Sequence, residues 1–272
     1  MAALGRVGTM SAEARSPRSQ ALIEWIASAA GIATFVGLWL AVTLGGIVSP
    51  HFLPSPPALL ERIADLIRQP YAGSLLQQHL LASLEKFGAS YVLAVAIGVP
   101  LGLTMGRFRV LDWAVTPLFE ILRFIPPIAW VPFSILWFGT GFLAPTLVIF
   151  AGAFSPCVLN SYRGARLIDR PIIEAAQTLG ASGWRMIKDV VLPGALPHVI
   201  AGLRVGAGFG WQSLIGAELI VGSTGLGFLI IQGESNIEPA VVVAGMLTIG
   251  VVGAIIDYGM RALEKWIRRD WG

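Results

Sequence analysis

Charge is scarce in this chain of 272 residues: only 13% are Asp, Glu, Lys or Arg, while 55% are hydrophobic. A globular domain ordinarily carries about 25% charged residues, so half that supply excludes a water-soluble fold. Cysteine is almost missing as well. Cys157 stands alone, which rules out an internal disulfide and a multi-cysteine metal site. The three histidines, His51, His79 and His198, are far apart and lack ligand spacing, so no metal site is expected. No GxxxxGK[ST] stretch occurs, so the chain is not expected to bind ATP, and no nucleophile is set beside a base. The formal charge of +3 does not signal nucleic acid, because the basic residues sit in short flanks between apolar runs.

Long apolar runs are what the chain has in abundance. The mean hydropathy of +0.74 and these runs define an integral membrane protein. Residues 1–23 are polar, small and Arg-containing and are expected to form a disordered cytoplasmic tail, with residues 24–272 as the membrane domain. The apolar run that follows the tail is too long for a signal-peptide core, and no cleavage is expected. A transmembrane helix needs about 20 mostly apolar residues. On that measure six spans are predicted, at 24–48, 80–105, 115–138, 143–159, 195–221 and 240–262. Between the first two, Leu59, Leu60, Ile63, Leu66 and Ile67 recur at helical spacing, which predicts a short amphipathic helix lying at an interface. Gly98, Gly102 and Gly106 share one helix face, as do Gly202, Gly206 and Gly210; such stripes let a second helix approach closely. Pro126, Pro127 and Pro132 interrupt the third predicted span, which is therefore bent or discontinuous, either for packing or because it borders a pore. The stretch "GSTGLGFLIIQGESNIEP" reads as a Gly-rich loop.

Of the 19 Lys and Arg residues, fourteen fall in the segments that share a side with the N-terminus. Only Arg62 and Arg68 fall on the other side, and Lys86, Arg123 and Arg204 lie at or near span ends. This bias places both termini in the cytoplasm. The segment at about 169–192, "DRPIIEAAQTLGASGWRMIKDVVL", lies on the same side. With its flanks it takes about thirty residues to join two spans, where most connections take about 4–6. Pro171 suits a first helical turn, Asp169 or Arg170 a cap, Gly180 a left-handed stop, Ser182 a second cap, and Leu192-Pro193 a final stop. Two short helices joined by a glycine turn are predicted, forming a docking element for a cytoplasmic partner.

Within that segment Glu174-Ala175-Ala176, Gly180, Val190 and Leu192-Pro193 have the spacing of the EAA motif, and the chain resembles the permeases of bacterial ABC importers. It departs from the motif only at Val190, where isoleucine is usual. "FLPSPPALL", "GVPLGLTMGR", "PLFEILRFIPPIAWVPFSILWFGTG" and "GAELIVGSTGLGFLI" extend the resemblance, to the nitrate/taurine/sulfonate/bicarbonate subfamily, over nearly everything after about residue 30. The resemblance implies an all-α, type I importer permease fold in the bacterial inner membrane, working as a homodimer. It implies two cytoplasmic ATPase subunits that bind ATP and Mg, and an extracytoplasmic solute-binding protein. The helix beginning near Glu174 would be the coupling helix, with Glu174 contacting the ATPase and Gly180 turning the chain. Small sulfonates such as taurine lead as substrate, followed by nitrate, bicarbonate and a thiamine-precursor pyrimidine. A secondary transporter is the reading from another class; no internal repeat favours it.

Ionisable residues inside spans are functional candidates. Glu218 and Asp257 stand out, Glu218 either as a gate or as a pin between helices. Trp130, Trp211, Gln212 and Glu218 are the candidates for the translocation path; for the two tryptophans, packing is the alternative. Arg123 and Arg204 could meet an anion near the cytoplasmic exit or reach for headgroups.

Overall fold

The computed structural model describes residues 17–49 and 51–269, and among them the regular elements are helices. By internal contacts the chain divides into residues 1–57 and 58–272. In the first unit α1 (Pro17–Leu44) includes an apolar stretch, Trp25–Leu44, long enough to span a bilayer. Residues 17–23, predicted as part of a disordered tail, are helical instead, with Pro17 suited to a first turn. Residues 1–16 of that tail lie outside the described residues. The helix stops four residues short of the predicted Val48, because Gly46 takes a positive φ of 70° and the Ile47 N–H bonds back to Val42 O at 3.2 Å. Trp39 Nε1 donates to Pro54 O at 3.1 Å within the same unit.

The second unit carries α2 (Pro56–Arg68), whose first two residues belong to the first, then α3 (Leu76–Arg107), α4 (Arg109–Leu122), α5 (Val131–Phe138) and α6 (Leu143–Arg166). After residues 167–191 come α9 (Leu192–Val221), α10 (Leu226–Ser235) and α11 (Pro239–Arg269). α2 is amphipathic as its spacing requires: Leu59 and Leu66 are buried while Leu60 and Ile67 are exposed. Five helices are long and apolar enough to cross a membrane, and the pair Arg109–Leu122 and Pro127–Phe138 makes a sixth crossing if counted as one.

That pair is broken by a 90° bend, not merely kinked. The helix stops at Leu122, and a single 3-10 turn, Pro127–Trp130, restarts the chain toward α5. Pro126 and Pro127 supply no N–H donors, and proline drives the residue before it out of helical geometry.

The core of the second unit is α6 held between α3 and α9, and both glycine stripes face it. A Cβ on Gly106 would lie 2.6 Å from Ala165 Cβ, one on Gly98 3.1 Å from Cys157 Cβ, and one on Gly102 2.8 Å from Ser161 Cβ. On the other side, a Cβ on Gly202 would lie 2.7 Å from Asn160 Cβ and one on Gly206 2.9 Å from Cys157 Sγ. In lipid the drive for this packing is dispersion between closely approaching backbones rather than water exclusion. Gly208, two residues from Gly206, meets nothing within 4 Å and lies off the stripe.

Two further expectations need correction. The predicted Gly-rich loop is a loop only through Gly225; from Leu226 to Ser235 it is α10, which the apolar run "LGFLII" makes possible. Leu192-Pro193 does not end a helix. The chain runs from a short turn at Gly183–Met186 through a π turn, Ile187–Val191, directly into α9. Leu192 N–H bonds to Ile187 O, five residues back. The wider turn makes room for Pro193, which sits in the first turn of α9 where a missing N–H costs little.

Candidate functional site

The EAA segment forms a compact cap on the ends of α6 and α9. α7 (Arg170–Thr178) starts after Asp169 and is followed by α8 (Gly183–Met186). Asp169 and Ser182 occupy the cap positions with extended backbone, as expected, yet neither side chain makes a capping hydrogen bond. The stop after α7 is formed by backbone instead. Gly180 is left-handed at φ +86°; its N–H bonds to Gln177 O at 2.9 Å, and Ala181 N–H to Ala176 O at 2.9 Å. These two bonds form a complete Schellman motif. Ile173, Ala176 and Ala181 pack onto Leu103, Ala165, Met186, Ile187 and Val191. The opposite face stays open: Glu174 and Ala175 are exposed, as are Ile172, Leu179 and Trp184, with Leu179 at 89%. An acidic side chain and several large apolar ones left exposed on a segment packed from behind make a surface suited to docking.

A second assembly of polar groups lies where α9 ends. Glu218 is fully buried, and its carboxylate accepts from Lys86 Nζ at 2.8 Å, from Ser83 Oγ at 2.8 and 3.0 Å, and from the Gly227 N–H at 3.0 Å. Lys86 Nζ also donates to Thr224 O, and the Leu226 N–H donates to Ser83 Oγ at 2.8 Å. The Gly225 N–H donates to His79 Nδ1, which leaves Nε2 to carry the proton and donate to Tyr71 O at 3.0 Å. The carboxylate therefore caps α10 from another helix, with the N-terminal end of the helix dipole favouring its charge. Gly225 has φ +124°, and any Cβ there would collide with the Glu218 carboxylate. Lys86 is ten residues inside α3, and is the partner of Glu218. Sequence reasoning missed the pair because its members are 132 positions apart. The available signal was two opposite charges in otherwise apolar helices.

Asp257 sits in a more open cluster. Arg204 Nε donates to its Oδ1 at 2.8 Å, Arg261 to its Oδ2 at 2.8 Å, and Arg204 also reaches Glu264 at 3.6 Å. Arg204 is accordingly an ion-pair partner across α9 and α11, not a free cation.

The structure does not bring the four path candidates together. Trp130 lines a cavity of about 470 Å³ formed by α4, the 3-10 turn, α6 and α9. Gln212 is exposed, on the side of α9 that faces α11 across a separate cleft. Trp211 is buried, edge-on to Phe87, with Nε1 donating to Ile249 O at 3.2 Å. Trp211 and Glu218 are therefore enclosed, and neither reaches the cavity. Arg123, which sequence reasoning set at a span end, lines that cavity beside Trp130.

The fold has a counterpart among solved structures. It is shared with a chain of the MetNI methionine ABC transporter at TM-score 0.62 and 20% identity, over 71% of this chain and 95% of that one. Residues 98–269 match the family described as "Binding-protein-dependent transport system inner membrane component", and the chain belongs to that family. Among its relatives is the taurine transport system permease protein TauC of Escherichia coli (strain K12), 35% identical over 86% of each chain. The bicarbonate transport system permease protein CmpB of Synechococcus elongatus is 32% identical over 89% of this chain and 88% of its own. These relatives are named as permeases, not as enzymes, and this chain is likewise a multi-pass membrane component of an ABC-type transport system.

Proposed function

We propose that the chain is the permease subunit of an ATP-driven importer that carries a small anion, taurine or an alkanesulfonate first, into the cytoplasm by alternating access. The observation that carries this reading is the α7–α8 cap: an exposed acidic and apolar face with the EAA spacing, seated rigidly at the base of α9. Two copies of the chain pair in the bilayer with both termini cytoplasmic, an orientation that the distribution of Lys and Arg supports. Each copy docks α7 into a cytoplasmic ATPase subunit, which binds ATP and Mg and performs the hydrolysis. A solute-binding protein delivers substrate to the outer face. Glu174 and Ala175 meet the ATPase, Ala176 seats the helix from behind, Gly180 fixes the turn, and Leu192-Pro193 carry the motion into α9.

The taurine-named relative favours a sulfonate substrate, and the bicarbonate-named one keeps a small inorganic anion, bicarbonate or nitrate, as the second reading. The test is reconstitution with the ATPase and binding protein in vesicles. ATP-dependent uptake of labelled taurine or methanesulfonate is expected, and Glu174→Ala is expected to weaken co-purification of the ATPase and to lower uptake together. Uptake without ATP would point to a secondary transporter, and Glu174→Ala with full assembly and transport would remove the coupling role.

A further inference from the structure

The cavity beside Trp130 has a chemistry that the packing of the helices does not require. Its volume of about 470 Å³ lies within the ~300–1,000 Å³ typical of small-molecule sites. Phe119, Phe150, Phe154 and Phe209 supply much of its apolar wall, and among the described lining residues Arg123 alone is charged. Arg123 is the C-cap residue of α4, at the 90° break before the 3-10 turn, and it lines the cavity. Its Cζ lies over the Phe124 ring, 4.5 Å from the centroid. Nε and Nη2 both donate to one oxygen, Glu120 Oε2, at 2.7 and 2.6 Å. A guanidinium has five N–H donors in a fixed fork, so three remain beyond those engaged by Glu120. Ser155, on α6, also lines the cavity.

We propose that this cavity holds the transported anion on Arg123, and that Glu120 is a resident counter-ion which the anion displaces. A cation in a membrane-embedded cavity is costly when alone, so the empty state needs a partner. Glu120 is that partner, yet its side chain is 42% exposed and it holds Arg123 through a single oxygen. Such a contact is weak enough to exchange. An oxoanion such as a sulfonate can take the guanidinium fork with two oxygens at once, the geometry that arginine favours. The aromatic wall then suits a short organic tail, and Ser155 can donate to a further oxygen. This site deepens the importer reading and rests on it, but its test does not depend on transport.

Ser155→Cys in the full-length chain, held in phosphatidylcholine nanodiscs, offers a thiol on the cavity wall; the native Cys157 is buried, and the parent chain controls for it. Two methanethiosulfonate reagents are compared, the anionic 2-sulfonatoethyl and the cationic 2-(trimethylammonio)ethyl forms, each normalised to a free thiol. A single-sign cavity raises local concentration of the opposite ion by about tenfold or more; with Glu120 compensating Arg123, the anionic reagent should lead in the parent Ser155→Cys chain by less than that factor, and approach it in Glu120→Gln. Arg123→Gln should bring the ratio to about one, Glu120→Gln should raise it, and added methanesulfonate or taurine should slow the labelling.

A ratio unmoved by Arg123→Gln overturns the proposal. So does a fall of the ratio in both variants, which would make the ion pair a structural brace. A ratio that follows added phosphatidylglycerol instead of methanesulfonate would assign the site to lipid headgroups and overturn it too. Where Arg123→Gln does not fold, Glu120→Gln decides: a raised ratio supports the site, an unchanged or lowered one sinks it. Absence of ATP-driven uptake in the wild type is a separate failure, that of the importer reading.

Discussion

Two ionic clusters join α9 to its neighbours, and they are built from the same residue types in opposite surroundings. At the C-terminal end of α9, Glu218 and Lys86 are 0% and 7% exposed in their side chains, and the carboxylate also holds Ser83 and the start of α10. In the N-terminal half of α9, Arg204 and Asp257 are 35% and 41% exposed, and each shares its partner with a third residue of α11. The first cluster has one arrangement and no spare acceptor. The second can trade partners among Arg204, Arg261, Asp257 and Glu264. Ionisable residues inside spans are usually taken together as functional candidates; here burial separates a fastener from an adaptable contact.

The largest expected effect tests the fastener. Lys86→Met leaves a buried carboxylate without its cation, and breaking such a pair typically costs about 3–5 kcal/mol. The melting temperature in detergent should fall sharply. Lys86→Met combined with Glu218→Met should recover most of the loss, since replacing a whole buried pair is often close to neutral. If the double variant melts as low as the single one, hydrogen bonding to α10 matters more than the charge pair.

A packing contrast on the same helix comes next. Gly206→Ala pushes a methyl toward Cys157 Sγ and Ala153 O at 2.9 and 3.0 Å and should cost about 1–3 kcal/mol. Gly208→Ala meets open space and should leave stability unchanged or raise it by up to about 1 kcal/mol. Equal melting shifts would mean that the glycine stripe is not what sets the α6–α9 distance.

Gly180→Ala follows, with about 1–2 kcal/mol of left-handed backbone strain and no steric clash. Its effect should appear as local loosening of α7 by hydrogen exchange and as reduced ATPase co-purification, with α9 unaffected. Arg204→Gln should do least. An exposed, shared ion pair contributes little, so the melting curve should overlay the wild type, and a drop as large as that of Lys86→Met would erase the distinction between the clusters.

How much of this was legible depended on distance along the chain. Apolar run length gave the membrane crossings, and four-residue glycine spacing gave the two faces that grip α6, because both are local properties of one helix. Gly180 was legible as a stop for the same reason. Lys86 and Glu218 are matched only by folding, and no period relates positions 132 apart. Leu192-Pro193 misled because proline is read as a terminator, whereas a π turn just before it lets the helix continue. Trp211 was legible only as two alternatives: an indole in a span suits a pore wall or a packed interior equally well until its neighbours are known.

The continuity of α9 makes it a lever with a fixed far end. Leu192 stands at the base beside α7 and α8, Glu218 is pinned at the far end, and Phe209 on the cavity wall lies between them. At 1.5 Å per residue the arm from Leu192 to Glu218 is about 39 Å, and Phe209 is about 14 Å from the pivot. With the pivot held, a 3 Å displacement at the base moves the wall at Phe209 by about 1 Å. Under the proposed alternating access, this gearing would reduce a large stroke at one end to a fine adjustment of the cavity, and cutting the Glu218 pin would remove the fulcrum without touching either the base or the wall.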